Sequence, residues 1–368
     1  MLSRRFMRVL GARAGHALIR SSEAQVRGIS RSRTMLIGNE PVFVMSYPGS
    51  RVLLMAAPEQ GNELSPQVTM ALEEKLRQYS RNESISAVFF ASRSPDVFST
   101  SENSSTKANI QSLNSFVTAL ASFGKPSLAV YSGSMNGTGF AAFAGSKYLL
   151  GGPSLSLISN ELSKGKLPSA GFAFQLSKCG KYGVSMARYL AVSQREVRAD
   201  DLYKLGLLTH LVEDEAYVSL ADALAHTIPS KSAASKGCVV EADSLEDLLD
   251  TMHVEEDTLG DPLSHEAWDK FLLVPPNRED ARPRDNELED DDDLFNSRDD
   301  IMKCFNGTPE LAIKKLAEIN KPWALDAIDK ISSVDRGLLN TWWKLTESIS
   351  FTNAKLGDFL RIEASEAR

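Results

Sequence analysis

Residues 125–146 read KPSLAVYSGSMNGTGFAAFAGS, and this stretch decides the fold. Its first part, KPSLAVYSG, is a short apolar run bounded by Pro and Gly, the pattern of a buried strand. The turn GSMNGTGF follows, and the small residues AAFAGS continue from it as a helix. A glycine turn that opens a helix exposes backbone N–H groups able to hold an anion or an oxyanion. This one has neither the lysine of a P-loop nor the GxGxxG spacing of a dinucleotide site. Taken alone, such a turn is as often structural as functional.

Moving outward, the same order of strand, loop and helix recurs. Upstream, RVLLMAAP (51–58) and ISAVFFAS (85–92) read as strands. Ser65-Pro66 supplies an N-cap and first-turn proline for the helix QVTMALEEKLRQYSR. The loop RSPDVFSTSENSS leads to a second helix, NIQSLNSFVTALASF (109–123). Downstream, KYLLGG and SLSLIS read as short strands, and GVSMARYLAVS (183–193) and ADDLYKLGLL (199–208) as amphipathic helices before THLVED. Repeated units of this kind predict an α/β fold with parallel strands covered by helices.

The ends of the chain differ from this core. Residues 1–33 hold eight Arg, no Lys and one acid, Glu23. Leu2, Phe6, Val9, Leu10 and Ala17 can share one helical face while Arg4, Arg5, Arg8 and Arg13 take another. This is the composition of a mitochondrial transit peptide, with a basic nucleic-acid arm as the alternative. The expected address is the mitochondrial matrix. Residues 40–230 form the expected core, and residues 231–300 a polar insert or linker. Seven of the nine residues from Asp285 to Asp293 are acidic, which reads as a solvated linker or, more sharply, a docking strip for a basic partner. Residues 301–368 read as a helical region, in which Trp342-Trp343 is a core or seam pair.

Composition narrows the chemistry. The chain carries −7; without the +7 of residues 1–33 the remainder carries −14. A protein that grips a phosphate backbone broadly is usually basic, so direct RNA contact is expected to be limited. Cys179, Cys238 and Cys304 lie far apart, and the five His show no i, i+4 pair, so neither a disulfide framework nor a metal is expected. No run of 18 apolar residues occurs, and no membrane span is expected.

Two further residues stand out in SNELSKGKLPSAGF (159–172): Glu161, a lone carboxylate among turn formers, and Ser169 after Pro168. With the loop FSTSEN, the turn GTGF and the segment DDLYKLGLLTHLV, they make the chain resemble the crotonase (enoyl-CoA hydratase/isomerase) superfamily. Within it the chain is most similar to the 3-hydroxyisobutyryl-CoA hydrolase branch, through DDLYKLGLLTHLV and the tail IMKCFNG…PWALDAIDKISSVDRGLLNTWWKL. The resemblance implies a spiral of ββα units with a C-terminal helical region. It also implies an acyl-CoA ligand, no cofactor, and two backbone N–H groups holding the thioester oxygen. Where the family's first loop reads F-x-A-G-G-D, this chain has Phe98-Ser99-Thr100-Ser101-Glu102-Asn103, which puts Thr100 at the first N–H position. The G-G-G turn becomes Gly137-Thr138-Gly139, with Thr138 at the second. The family's P-E pair becomes Asn160-Glu161, so the glutamate is kept; its P-D pair becomes Pro168-Ser169, so the aspartate is lost.

Each departure points away from turnover. Ser101 and Glu102 add bulk and charge where glycines allow close approach of backbone to ligand. Ser169 cannot replace a carboxylate without an activating partner. Loss of a positioned acid–base group costs roughly 10²–10⁴ in rate, and an impaired oxyanion hole roughly 10²–10³. The expectation is therefore a catalytically degenerate protein. Relatives of the hydrolase branch are components of the mitochondrial small ribosomal subunit, which implies mitochondrial ribosomal proteins as partners. The alternative is a diverged acyl-CoA thioester hydrolase of valine catabolism.

Overall fold

The computed structural model describes residues 42–55, 61–100, 107–179, 183–227, 242–253, 294, 297–351 and 355–366. The basic stretch 1–33, the residues Ser101–Asn103 and the acidic run 285–293 lie outside them.

Two strands, β1 (Val42–Tyr47) and β2 (Gly49–Met55), form an antiparallel pair at the start. Helix α1 (Pro66–Ser80) follows; Ser65 caps it by accepting from the Val68 N–H, and Pro66 begins its first turn as expected. Two complete turns of the spiral come next. The first is β3 (Ile85–Ser92), β4 (Val97–Ser99) and α2 (Lys107–Ala121); the second is β5 (Ser127–Tyr131), β6 (Ser134–Met135) and α3 (Gly137–Phe143). The third starts with β7 (Tyr148–Gly151) and β8 (Ser156–Leu157) and continues through α4 (Phe172–Cys179) and α5 (Gly183–Ser193). Strand β9 (Val197–Arg198), helix α6 (Ala199–Lys204) and strand β10 (His210–Leu211) then close the sheets.

Each turn places one strand in each of two sheets. The larger runs β1-β2-β3-β5-β7-β10, parallel throughout except for the first pair. The smaller runs β4-β6-β8-β9. A side chain on β4 or β6 is thereby carried to the edge of the next helix, which is how the spiral builds its site. All eight residues of β3 are buried, the mark of a strand covered on both faces. Phe98 meets Tyr131 edge-on at 4.9 Å and Phe143 at 5.3 Å, and the Tyr131 hydroxyl donates to Phe140 O at 3.0 Å. Aromatic pairs of this kind add about 0.5–1.5 kcal/mol each beyond burial. They fix the first loop and the start of α3 to one core.

Beyond β10, α7 (Ala216–Thr227) packs on the large sheet. Within the polar stretch 231–300 lies α8 (Ala242–Met252), whose Leu245 and Leu249 are buried against that layer. The helical C-terminal region is as expected: α9 (Arg298–Cys304), α10 (Pro309–Ile319), α11 (Pro322–Ser333), α12 (Arg336–Phe351) and α13 (Leu356–Glu366). It shares one hydrophobic core with the spiral, and Trp342 and Trp343 sit inside it. Arg188 of α5 crosses this seam. Its guanidinium donates to Thr346 Oγ1 at 2.7 Å, Phe305 O at 3.0 Å, Gly307 O at 3.2 Å and Trp343 O at 3.3 Å. Cys304 is a buried free thiol, pushed up to about 11 by that burial. Among the described residues, no helix is long and apolar enough to cross a membrane, and no group of metal-ligating side chains comes together.

Candidate functional site

The first loop is held from behind by residues that its own sequence does not reveal. Asn62, buried and in the left-handed region at φ 47°, donates from Nδ2 to Ser92 Oγ, Val97 O and Phe98 O. Ser99 Oγ donates back to Asn62 O at 3.1 Å. Thr100 follows directly, and its N–H donates to Gly61 O at 2.7 Å while its hydroxyl donates to the same oxygen at 3.1 Å. Gly61 sits at φ +65°, and a Cβ there would overlap Thr100 Oγ1, so this turn requires glycine.

The second loop lies against the first. Asn136 donates its N–H to Ser99 O at 3.2 Å and caps α3 by accepting from the Gly139 N–H at 2.8 Å. Thr138, fully buried, donates its N–H to Glu161 Oε1 at 2.7 Å. The second oxygen of that carboxylate accepts from Ser159 Oγ at 2.8 Å. Glu161 stands just before a short turn of 3₁₀-helix, Leu162–Lys164, and its backbone oxygen accepts from Lys164 and Lys166. Its side chain is thus aimed inward from a closed turn.

Ser169 completes the cluster. Its N–H donates to Thr138 Oγ1 at 3.1 Å, and the two hydroxyl oxygens lie 3.4 Å apart. The next residue, Ala170, has φ 62°, a left-handed conformation that costs energy for any residue with a Cβ. Gly171 follows at φ +73°, and its N–H donates to both oxygens of Glu363 at 3.1 Å. Glu363 is fully buried, and that burial pushes its carboxyl up to about 8, with the Gly171 N–H pulling the other way.

The structure therefore brings Thr138, Glu161 and Ser169 into one buried cluster and sets Thr100 on the neighbouring segment. Both candidate oxyanion N–H groups have an internal acceptor: the Gly61 carbonyl for Thr100, and the Glu161 carboxylate for Thr138. An oxyanion hole acts through donors aimed at the developing charge. Here the donors are aimed at protein oxygens. The sequence did not single out Gly61, Asn62, Ser159 or Glu363. For Glu363 a signal existed: it shares the apolar face of α13 with Phe359 and Leu360, where an acid is out of place.

Residues 50–365 match the family model described as enoyl-CoA hydratase/isomerase. The chain belongs to that family. Solved structures agree at the level of fold. One is an enoyl-CoA hydratase from Rhodobacter sphaeroides 2.4.1 (TM-score 0.64, 13% identity, covering 88% of this chain and 83% of that one). Another is a carnitinyl-CoA dehydratase from Mycobacterium thermoresistibile (TM-score 0.64, 16% identity, covering 89% and 84%). A search of curated proteins found no match. Membership of the enoyl-CoA hydratase/isomerase family agrees with the ββα spiral.

Proposed function

We propose that this chain is a catalytically degenerate relative of the 3-hydroxyisobutyryl-CoA hydrolases that serves as a structural component of the mitochondrial small ribosomal subunit. The observation that carries it is the Thr138 N–H to Glu161 bond at 2.7 Å, which engages a would-be catalytic carboxylate with a would-be oxyanion donor. A thioester oxygen entering the site would have to displace that carboxylate. The hydroxyl of Ser169, 3.4 Å from that of Thr138, brings no carboxylate of its own. The Arg-rich start of the chain supports a matrix address. The −14 charge of residues 34–368, obtained as −7 less the +7 of residues 1–33, favours a seat among protein neighbours over a wide RNA footprint. The step to the ribosome rests on likeness to the hydrolase branch, with mitochondrial ribosomal proteins as the partners and acyl-CoA as a vestigial ligand.

Sedimentation of a mitochondrial lysate at moderate salt tests this directly. The protein is expected to travel with the small ribosomal subunit; confinement to the soluble matrix fractions overturns the assignment. The competing hydrolase function makes a separate demand. Purified protein is expected to release no CoA from 3-hydroxyisobutyryl-CoA, and turnover abolished by Glu161→Ala would restore the enzyme.

A further inference from the structure

Helix α13 is fastened to the spiral at two polar points. Asn114 of α2 donates from Nδ2 to Leu360 O at 3.1 Å. Three residues on, Glu363 receives the Gly171 N–H on both oxygens. Apolar contact surrounds this second point: Leu356 and Leu360 lie close enough to Gly171 that a Cβ there would touch both. Glu363 is thus a carboxyl group with 1% of its surface exposed, facing one backbone donor. One N–H is poor compensation for a buried anion, which normally needs a cation or several donors.

We propose that Glu363 is a proton-dependent latch: neutral, it holds α13 against the loop 169–172; ionised, it leaves the interior and releases that helix. The loop it holds contains Ser169, whose N–H is bound to Thr138, so release would loosen the Glu161 cluster as well. Among the described residues, burial dominates the Glu363 carboxyl and the Gly171 amide opposes it. On its own helix Asp358 and Arg361 pair with each other at 3.2 Å on the exposed side, and Glu366 is exposed. The sign follows from linkage. A carboxyl raised to about 8 when folded stabilises the docked helix fully below its unfolded value, and that contribution is lost as pH rises through about 8.

Hydrogen exchange of the full-length protein, corrected for intrinsic rates, reads this equilibrium. Peptides covering 356–366 and 167–176 are expected to lose protection by up to about tenfold per pH unit between the free carboxyl value of 4.5 and about 8, and to level off above that. Peptides covering β3 should stay protected. Glu363→Gln, which keeps shape and removes the charge, is expected to make α13 protection independent of pH; Glu363→Leu serves if that variant does not fold. Constant wild-type protection in α13 across this range overturns the latch. So does a loss shared equally by β3, or a variant that keeps the wild-type response.

Discussion

Two buried polar clusters in this molecule look alike in composition and differ in what they join. Arg188 reaches out of the spiral to oxygens of Phe305, Gly307, Trp343 and Thr346, more than a hundred residues away in sequence. Among the described residues, the Glu161 carboxylate bonds to Thr138 and Ser159, both within the spiral. The first cluster fastens two parts of the fold together; the second closes a site on itself. Buried charge needs partners wherever it sits. A carboxylate that accepts from the Thr138 N–H and the Ser159 hydroxyl therefore contributes to the fold. Glu161, read from the family pattern as a retained site position, ties its own turn to the start of α3 through these bonds.

The largest effect is expected at Arg188. Arg188→Met should remove the guanidinium and leave Phe305 O and Thr346 Oγ1 without its donation, while Gly307 O keeps the Trp343 Nε1–H and Trp343 O keeps the Thr346 hydroxyl; stability should fall by about 3–5 kcal/mol. Urea unfolding followed by tryptophan fluorescence measures it, because Trp342 and Trp343 lie at the same seam. Arg188→Lys should recover only part, since an ammonium lacks the planar fork that serves several carbonyls at once. A cost near zero would mean that the seam is held by apolar packing alone.

A smaller effect is expected at the site. Glu161→Ala leaves the buried Thr138 N–H and Ser159 hydroxyl without their acceptor and should cost about 1–3 kcal/mol. Glu161→Gln retains one acceptor oxygen and should cost about 1 kcal/mol. An enzyme that sacrifices stability for its site would show the opposite sign, with Glu161→Ala gaining stability. Ser169→Asp sharpens the test. It puts a carboxyl group into the buried cluster beside Thr138, so it is expected to destabilise by about 1–3 kcal/mol and to yield no CoA release. Turnover in that variant would show that a single missing carboxylate had been the whole defect.

How far these clusters could be read from the chain depends on the range of the interactions that make them. Strand β3 is an apolar run interrupted only by Ser86 and Ser92, and α1 carries a serine cap and a first-turn proline, so both were legible locally. Strands β6, β8 and β9 are two residues each, too short to carry any period; neighbouring strands define them. Helix α8 lies inside an acidic, polar stretch whose overall composition masks a local signal: Leu245, Leu248, Leu249 and Met252 mark its inner face at helical spacing. The positions Thr100, Thr138, Glu161 and Ser169 came from resemblance, and their bonding came from the fold. The Thr138–Glu161 bond spans 23 residues and the Gly171–Glu363 bond 192, and no local pattern encodes either.

The edge of the large sheet supplies the mildest test, because its charged groups are partly exposed. There α8 docks through side chains that titrate. His253 Nδ1 accepts from the Leu211 N–H at 3.0 Å, and His210 Nε2 lies 3.4 Å from Asp250. The Tyr148 hydroxyl donates to Glu246 at 3.0 Å, with Lys147 3.7 Å from the same carboxylate. Burial holds His210 below its usual value, His253 adds to that, and Asp250 opposes it. A histidine depressed in the folded state contributes stability above its unfolded value of about 6.5, and that contribution fades as pH falls through the folded value. Partial exposure limits the effect to about 1 kcal/mol or less. Hydrogen exchange in residues 242–252 should therefore rise modestly toward pH 5 or so. His210→Gln should flatten the response. Acid would then loosen α8 while alkali loosens α13, a divergence that a uniform change in global stability cannot produce. Parallel responses at the two helices would show that both report the whole fold and neither reports its own buried group.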